Sequence, residues 1–403
     1  MALRVLRIIN RFIIGGPAYN VSYLTKYLHP EFETLLVSGQ KDDGEADSVF
    51  IAENLDLKPL YVNSLQKSLT QPWNDRKAYI EIKKIIEDFK PHIVHTHAAK
   101  AGFIGRLVAL NCNVPVILHT FHGHYFHSYF SSFKTKTLLN IERYLAKKTD
   151  GIIAISPEQY NDLANTYKVA TPEKTFTIPL GLDLDRFATD AKNSRQHFRQ
   201  EFNIDDNTVC IGLIGRIVPI KNHRFFINVI KQIKDISPDA NVKFFIIGDG
   251  EIRTKIEQYI ADNQLNFTTE TEKDFTKDII FTSWRTDMEN VLAGLDIIAL
   301  TSLNEGTPVT LIEAQAASKP IVTTNVGGIQ YVVVNDKTAF VVERDDEKSF
   351  TQKLLQLINN SDLRSSMGEA GRIHVQNKFS VHRLTNDMKN LYHRLLQEKG
   401  VKI

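Results

Sequence analysis

Short apolar runs alternate with longer amphipathic stretches along most of the chain, and this alternation constrains the fold more than any other feature. In the first half, the apolar runs that predict strands are 3–9, 33–38, 92–96, 115–120 and 151–155. The helical patterns between them are 18–28, 76–89, 100–110, 135–148 and 157–166. Strands separated by helices form parallel sheets covered on both faces, so the pattern predicts the α/β class.

The alternation restarts after a polar stretch at 183–207, which is predicted to hold a linker and a short helix. The second series of predicted strands is 209–215, 242–248, 278–281, 296–300 and 320–324. Its predicted helices begin near 222, 250 and 308, and three more cover 346–359, 361–376 and 380–397. A length of 403 residues also exceeds what one ordinary core holds.

This organisation predicts two Rossmann-like domains, 1–190 and 191–379, that face each other across a cleft. The terminal helix, within 380–403, is predicted to pack back on the first domain. In open α/β sheets, ligands bind beyond the carboxyl ends of the strands. We therefore expect the chemistry to lie in loops that directly follow strands.

The composition excludes several classes of protein. Lys and Arg number 49 and Asp and Glu 47, and this net charge of +2 argues against a nucleic-acid partner. The two cysteines, Cys112 and Cys210, form neither a disulfide framework nor a CxxC metal pair, which favours a reducing, cytoplasmic compartment. The apolar N-terminus is interrupted by arginines, and no run of about 18 apolar residues predicts a membrane span.

The segment 304–316 carries the strongest chemical pattern, because two carboxylates flank a predicted helix start directly after a strand. Glu305 lies in the loop and Glu313 in the second turn of the helix. The free N–H groups and the dipole at a helix start suit a phosphate. Two carboxylates beside that phosphate can hold sugar hydroxyls on both sides of a diphosphate. The alternative, an acidic cap with a surface glutamate, remains open on spacing alone.

A second pattern, at 215–222, follows the first strand of the second domain. Gly215 allows a tight turn, and Arg216 and Lys221 stand five positions apart, so both cations can converge on a diphosphate. Taken alone, two such cations are more typical of a solvated loop. The interpretation that they bind a diphosphate becomes stronger because another phosphate-type loop lies in the same half of the chain.

The E-x7-E spacing of Glu305 and Glu313, with the G-R-x4-K loop at 215–221, resembles the retaining glycosyltransferases of family 4, which have the GT-B fold. Further segments that match this family in order, over about the whole chain, are Gly15-Gly16-Pro17-Ala18, His95-Thr96-His97, 102–106, 119–124, 178–183, Gly248-Asp249-Gly250 and Trp284-Arg285.

The resemblance implies a role for each matching residue. Arg216 and Lys221 would bind the pyrophosphate of a nucleotide-sugar donor and stabilise the leaving nucleoside diphosphate, since positive charge would lie where negative charge develops. The backbone N–H groups of Val309 and Thr310 would add to this, whereas Pro308 has no N–H to donate.

The same resemblance implies the sugar contacts. Glu305 would contact hydroxyls of the donor sugar, Glu313 would hold the ribose hydroxyls, and His122 would lie beside the donor sugar. Gly15 and Gly16 would let the backbone approach the diphosphate or the acceptor closely. Trp284 and Arg285 would lie near the nucleobase, and Gly248 completes the predicted donor site. Glu305, His122, Lys221 and Arg216 are the predicted catalytic residues.

Three segments depart from the family pattern. Gln330 and Tyr331 stand where Pro and Glu often follow a Val-Gly-Gly-Ile segment. The sequence 335–339 reads Asn-Asp-Lys-Thr-Ala in place of a common Asp-Gly-x-Thr-Gly turn, and Ser283 replaces a glycine before Trp284. These departures affect the predicted turn geometry and nucleobase fit, but not the phosphate-binding or carboxylate positions.

No metal and no cofactor are predicted. Asp183-Leu184-Asp185 matches the metal-binding DxD motif of a different glycosyltransferase fold, but here it lies at the predicted hinge. Seven histidines fall within 92–127, and His95 and His97 share one face of a strand. No Cys or carboxylate completes a zinc ligand set there, so site-lining and core histidines are the favoured interpretation.

The hypothesis from sequence is a metal-independent, retaining glycosyltransferase that uses a nucleotide sugar, with UDP expected as the nucleotide. Its acceptor would be a hydroxyl of a glycan or lipid-linked glycan in cell-surface polysaccharide biosynthesis. The alternative enzyme is a sugar-nucleotide epimerase of the UDP-N-acetylglucosamine 2-epimerase type. A mere sugar-nucleotide-binding module is disfavoured, because the carboxylates and both cations are present.

Residues 121–136 interleave aromatic side chains with cations. A loop on the acceptor side of the cleft and a contact with the cytoplasmic membrane face are the two interpretations favoured. Stacking on nucleic acid is the third and least favoured. The sequence leaves the oligomeric state, the donor sugar and the linkage undetermined.

Overall fold

The computed structural model describes residues 2–12, 16–40, 48–65, 72–122 and 132–401, with only the backbone of 132–135. The chain divides into two compact units. The first contains Met1–Leu182 and Phe379–Ile403, and the second contains Asp183–Lys378. Residues 183–190, placed in the first domain from the sequence, thus group with the second unit.

The first unit contains one parallel sheet with the strand order β3-β2-β1-β4-β5-β6-β7. Its strands are β1 Leu3–Arg11, β2 Phe32–Gly39, β3 Leu60–Tyr61, β4 Ile93–His97, β5 Val116–Phe121, β6 Gly151–Ala154 and β7 Thr175–Thr177. Its helices are α1 Gly16–Tyr27, α2 Val49–Glu53, α3 Pro72–Phe89, α4 Ala99–Asn111, α5 Ser132–Lys147 and α6 Pro157–Asn161, the last followed by a π-turn at Asp162–Thr166.

The second unit contains another parallel sheet, formed from β8 Val209–Ile214, β9 Val242–Ile247, β10 Phe267–Thr268, β11 Ile279–Ser283, β12 Ile297–Leu300, β13 Ile321–Thr324 and β14 Ala339–Val342. The strand order is β10-β11-β9-β8-β12-β13-β14. Its helices are α7 Ala191–Glu201, α8 His223–Ile236, α9 Arg253–Asp262, α10 Met288–Gly294, α11 Val309–Ala316, α12 Ile329–Val332, α13 Glu347–Ile358 and α14 Ser361–Phe379.

The predicted α/β class is confirmed, since the strands are covered by helices and buried along most of their length. All six residues of β8 and all five of β4 are buried, as strands between two helical layers are. The elements that the sequence pattern missed are short. β3, β10 and β14, for example, have two to four residues, too few to show a period.

The terminal helix, α15 Val381–Glu398, completes the core of the first unit. Its apolar stripe packs on that sheet's core through Leu384, Met388, Leu391, Tyr392, Leu395 and Leu396. The Arg383 guanidinium donates to the carbonyls of Pro179 and Leu180 at 2.8 and 2.6 Å. Leu182 and Ser380 form an isolated parallel bridge, so the chain enters and leaves the second unit at adjacent points.

Candidate functional site

The candidate site of the second unit lies at the carboxyl edge of its sheet, between β8 and β12. These two strands are neighbours, and the sheet extends in opposite directions from them, which makes this the topological switch point where α/β sheets bind ligands. The loop with Arg216 and Lys221 follows β8, and the loop with Glu305 follows β12. Two patterns 84 positions apart therefore meet at one edge.

Lys221 and Glu305 form an ion pair at the centre of this site. The Lys221 Nζ lies 2.5 Å from Glu305 Oε1, with side-chain exposures of 20% and 11%. Ser302 also donates its hydroxyl to Glu305 Oε1, at 2.6 Å. Charge-assisted hydrogen bonds of this kind fix a carboxylate in one orientation. The arrangement holds a cation and an oriented carboxylate side by side, as recognition of a phosphate next to a sugar requires.

The two loops are joined by contacts that the sequence pattern did not reveal. The Thr301 hydroxyl donates to the carbonyls of Lys221 and Asn222, at 2.9 and 3.2 Å. The Leu303 N–H donates to the Ile220 carbonyl at 2.8 Å. Small hydroxyl residues directly after a buried strand are a weak signal, and only the pairing of β8 with β12 gives them this role.

Glycines bring neighbouring loops against the site. A Cβ on Gly248, whose φ is +132°, would lie 2.1 Å from the Gly215 carbonyl oxygen. A Cβ on Gly327, with φ +49°, would lie 1.9 Å from the Glu305 carbonyl oxygen. The Gly328 N–H donates to that same carbonyl at 3.0 Å. Gly248 and the Val-Gly-Gly-Ile segment therefore pack against the loops that follow β8 and β12.

The remaining phosphate-binding candidates lie around the same edge. Arg216 is exposed at the end of β8. The helix α11 begins at Val309, so the N–H groups of Val309 and Thr310 lie in a first turn that has no carbonyl partner within the helix. The exposed guanidinium and this helix start can both approach an anion held at the edge.

Glu313 is buried inside the second unit, only 7% exposed, and is paired with a residue that the sequence analysis did not select. Arg186 lies 3.0 Å from Glu313 Oε1, and it also lies 3.2 Å from Glu289 Oε1. Burial raises the pKa of Glu313 to about 7, although the Arg186 charge and hydrogen bond act in the opposite direction. The turn containing Arg186 packs on α10 and α11, which explains why residues 183–190 group with the second unit.

The predicted nucleobase residues differ in their availability. Trp284 is 47% exposed. The Arg285 guanidinium is already paired with Glu201, at 2.5 and 2.9 Å, and with Asp287, at 2.8 and 2.7 Å, so it fixes its own loop. Ser283 has φ +56°, a left-handed conformation that glycine adopts without strain, and its hydroxyl donates to Asp249 at 3.2 Å.

Two predicted residues of the first unit are described, Gly16 and His122, and both lie at the carboxyl edge of its own sheet. Gly15 and most of 121–136 are outside the described residues, whereas Gly16 begins α1. His122 directly follows β5, and its Nε2 lies 2.9 Å from His97 Nδ1. Burial lowers the pKa of His122 to about 3. Burial, together with His95, His122 and Arg7, lowers the pKa of His97 well below its usual range. Both imidazoles are therefore neutral at pH 7.

Neither a metal site nor a membrane helix emerges from the described part of the chain. Among the described residues, no group of three or more His, Cys, Asp or Glu side chains is arranged to hold a metal ion. Asp185, from the DxD sequence, accepts a hydrogen bond from Gln376 at 3.1 Å. No helix within the described ranges is both long and apolar enough to cross a bilayer.

Comparison with known families gives matches in both units. Residues 14–186 match the family model described as Glycosyltransferase Family 4, and residues 208–360 match the one described as Glycosyl transferases group 1. The junction between the two matches, 187–207, contains most of the polar stretch that separates the two series of strands.

Two curated bacterial proteins are similar along most of the chain. The UDP-Gal:alpha-D-GlcNAc-diphosphoundecaprenol alpha-1,3-galactosyltransferase of Escherichia coli is 30% identical over 79% of this chain and 79% of its own length. The capsular polysaccharide biosynthesis glycosyltransferase CapM of Staphylococcus aureus is 29% identical over 81% of this chain and 83% of its own.

Solved structures are similar over nearly the whole chain. A glycosyltransferase from Rickettsia africae ESF-5 has a TM-score of 0.78 at 21% identity, covering 98% of this chain and 99% of its own. HepE of Anabaena, solved in complex with UDP, has a TM-score of 0.78 at 16% identity, covering 97% and 100%. At these identities, the likeness establishes a shared fold.

Proposed function

The chain belongs to glycosyltransferase family 4, and we propose that it transfers a sugar from a UDP-linked donor to a hydroxyl of a glycan or lipid-linked glycan, with retention and without a metal ion. The observation that carries the proposal is the Lys221–Glu305–Ser302 cluster at the switch point of the second sheet. In this cluster, the Lys221 cation would face the diphosphate, and the oriented Glu305 carboxylate would face the hydroxyls of the attached sugar.

The proposed leaving-group site consists of positive charge and backbone N–H groups. Arg216 and Lys221 neutralise the departing diphosphate, and the N–H groups of Val309 and Thr310 donate to its oxygens. Preorganised donors of this kind lower the barrier because they stabilise charge that develops as the glycosidic bond breaks. Two cations and a helix start thus supply the charge stabilisation that a metal ion supplies in other transferases.

The ion pair between Lys221 and Glu305 has a consequence for donor binding. Without a donor, each charge is neutralised by the other at 2.5 Å. When a diphosphate arrives, Lys221 gains a second negative partner, and the Glu305 carboxylate can accept hydrogen bonds from sugar hydroxyls. The pair keeps both side chains near their working positions, and this lowers the entropy cost of ordering them on binding.

The donor and acceptor classes rest on the relatives. The name of the Escherichia coli relative specifies a UDP-sugar donor and a diphosphoundecaprenol-linked acceptor. The name of CapM specifies capsular polysaccharide biosynthesis. Retention is what the resemblance to the retaining members of the family implies. Glu305 is engaged by Lys221 and Ser302, and among the described residues no other carboxylate stands out as a covalent nucleophile. Same-face attack, with the departing phosphate taking the acceptor proton, is therefore the mechanism we favour.

Substitution of the central ion pair tests this function. Glu305→Gln and Lys221→Met should each lower kcat for sugar transfer about 100-fold, because each removes a group that contacts the donor in the transition state. Transfer to a diphosphoundecaprenol-linked sugar is measured with a panel of UDP-sugars, and UDP-N-acetylglucosamine alone is checked for epimer. Lys231→Met, on α8, is the matched control and should retain full turnover. Near-wild-type transfer by both site variants would contradict the proposal.

Contact of residues 121–136 with the membrane stays a separate prediction. A lipid-linked acceptor would place the enzyme at the bilayer surface, and aromatic side chains mixed with cations suit that interface. Co-sedimentation with anionic liposomes should therefore exceed that with zwitterionic ones, and it should fall with salt. Absence of binding to either type of vesicle would exclude this contact.

A further inference from the structure

One face of the first sheet carries a buried polar chain that leads to His122. Arg7, in the middle of β1, is fully buried, and β1 pairs it directly with His95 of β4. His97 follows on the same face of β4. His122 lies just beyond the carboxyl end of β5. This row of polar side chains thus extends from the interior of the sheet to its carboxyl edge, where α/β sheets bind ligands.

Each member of this polar chain contacts the next through a nitrogen atom. The Arg7 Nη1 lies 3.1 Å from His95 Nδ1 and 3.5 Å from His97 Nε2. The other nitrogen of His97, Nδ1, lies 2.9 Å from His122 Nε2. The His97 and His122 rings are also stacked, with centroids 5.2 Å apart.

The chemistry of the guanidinium fixes the protons along this chain. A guanidinium has only donors, so the imidazole nitrogens that face it must carry lone pairs. His97 Nε2 is therefore the acceptor, and its proton is on Nδ1. That proton is donated to His122 Nε2. His122 must then carry its own proton on Nδ1, the one nitrogen left.

His95 acquires the opposite tautomer by the same reasoning. Its Nδ1 faces Arg7 and also lies 2.7 Å from the Tyr392 hydroxyl, so it is an acceptor. Its Nε2 therefore carries the proton, 2.7 Å from the Thr120 hydroxyl. Two histidines separated by one residue on the same strand thus hold their protons on different nitrogens because a single buried cation lies between them.

We propose that Arg7 is a positioning residue that acts through His97 to hold His122 as a neutral imidazole with its proton on Nδ1. Within the described residues, His122 Nδ1 is buried and has no hydrogen-bond partner. It presents a donor at the carboxyl edge of the sheet. The atom that it contacts in a ligand is a hydrogen-bond acceptor, such as a sugar hydroxyl oxygen.

This arrangement restricts the chemistry of His122. An imidazole that already accepts from His97 and carries its proton on Nδ1 has no lone pair left for a substrate proton. His122 is thus a hydrogen-bond donor in the reaction and not the base that activates the acceptor hydroxyl. The assignment of that donor to the sugar rests on the proposed function, whereas the tautomer does not.

The tautomers are measured by nitrogen NMR of the full chain labelled with 15N-histidine, with the His122 signal identified through His122→Asn. We expect the one-bond N–H coupling of His122 on Nδ1 and that of His95 on Nε2. In Arg7→Met the guanidinium is absent, so His122 should become a mixture of tautomers. Sugar transfer should then fall about five- to tenfold in kcat/KM, as for loss of one neutral hydrogen bond.

Two further variants separate positioning from folding. Arg7→Lys retains a donor-only cation and should restore the His122 Nδ1–H signal. His97→Phe preserves the stacked ring but removes the hydrogen bond to His122, so His122 should become a mixture of tautomers. This variant tests the proposal even if Arg7→Met does not fold. His92→Phe, at the opposite end of β4, is the control, and it should change neither the His122 signal nor transfer.

The two readouts distinguish this proposal from the proposed function. A His122 proton on Nε2 in the wild-type chain, or an unchanged His122 signal in both Arg7→Met and His97→Phe, would overturn the positioning role of Arg7. If the expected tautomers are present but no UDP-sugar supports transfer, the positioning role stands and the proposed function fails.

Discussion

At the scale of single residues, Glu313 combines burial with one positive partner. The carboxylate is 7% exposed, and Arg186 is 3.0 Å away. Burial disfavours the charged form, whereas the guanidinium favours it, and the balance raises the pKa of Glu313 to about 7. Glu313 is thus partly protonated at neutral pH, and its proposed binding of ribose hydroxyls becomes dependent on pH.

We predict that UDP-galactose binding tightens about tenfold between about pH 6 and about pH 8, because the ionised carboxylate is the stronger acceptor for ribose hydroxyls and its folded pKa is about 7. The sign follows from the raised pKa: protonation persists to higher pH than in a free glutamate, so affinity is lost as the pH falls through that value. The pyrophosphate of this ligand is a diester and does not titrate there. Isothermal titration calorimetry measures the affinity.

Two variants check this pH dependence. Glu313→Gln should bind more weakly and show no change across the same range. In Arg186→Met the positive charge that lowers the Glu313 pKa is lost, and burial still raises that pKa. The midpoint of the change in affinity should therefore move to higher pH. A wild-type affinity that is flat with pH, or a step that persists in Glu313→Gln, would show that another group titrates.

Residue identities also explain two of the departures from the family pattern. Ser283 and Asp336 stand where the family has glycine, and both have positive φ, +56° and +57°. Aspartate enters this region several-fold more often than most residues, and the serine is held by its hydrogen bond to Asp249. Both positions therefore adopt a positive φ without glycine, which the sequence alone left undecided.

At the scale of elements, the loop after β9 supports the loop after β8. Gly248 has φ +132°, and a Cβ there would lie 2.1 Å from the Gly215 carbonyl oxygen. Gly248→Ala should therefore lower the free energy of unfolding by about 2–4 kcal/mol and displace the Arg216 segment. Urea denaturation measures the change in stability.

Gly306→Ala is the matched control for this effect. A Cβ at Gly306 meets no atom within 4 Å, and the backbone there is not among those with positive φ. Its free energy of unfolding should change by less than about 0.5 kcal/mol. Equal losses of stability in the two variants would show that the contact with the Gly215 carbonyl is not the cause.

The periodicity of apolar residues along the sequence predicted the long helices and strands well and the short ones poorly. Strands such as β8 and β9 were identified within a residue at their ends, because buried parallel strands are continuous apolar runs. Helices α10 and α12, with seven and four residues, were missed because so few positions cannot show a helical period. The loops between long elements were therefore located correctly, and the two loops of the candidate site are among them.

At the scale of the whole molecule, the GT-B fold class predicted from the sequence is confirmed by the solved neighbours. The first unit is built from two distant segments, because α15 returns to it. Its core residues, Leu384 to Leu396, cover Val5, Phe32, Ile93 and Leu118 of the sheet. The first 182 residues therefore lack part of their own core.

We predict that residues 1–182 alone do not unfold cooperatively, because the face under α15 is exposed to water. A chimera that joins Leu182 to the segment from Phe379 through a short Gly-Ser linker should restore a cooperative transition. The linker can be short, since the Leu182 N–H donates to the Phe379 carbonyl at 2.8 Å. Circular dichroism during urea denaturation measures both proteins. A cooperative transition for 1–182 alone would contradict this prediction.

By itself, the sequence determined the α/β class, the two series of strands and the loops that bring Lys221 and Glu305 to one edge. These features follow from local periodicity and from the rule that parallel strands present their carboxyl ends together. Only the tertiary structure decided the partners of buried polar side chains. Arg186 meets Glu313 across 127 positions, and Tyr392 meets His95 across 297. Such pairs depend on how distant segments pack, and a buried polar group needs a partner there because water cannot solvate it.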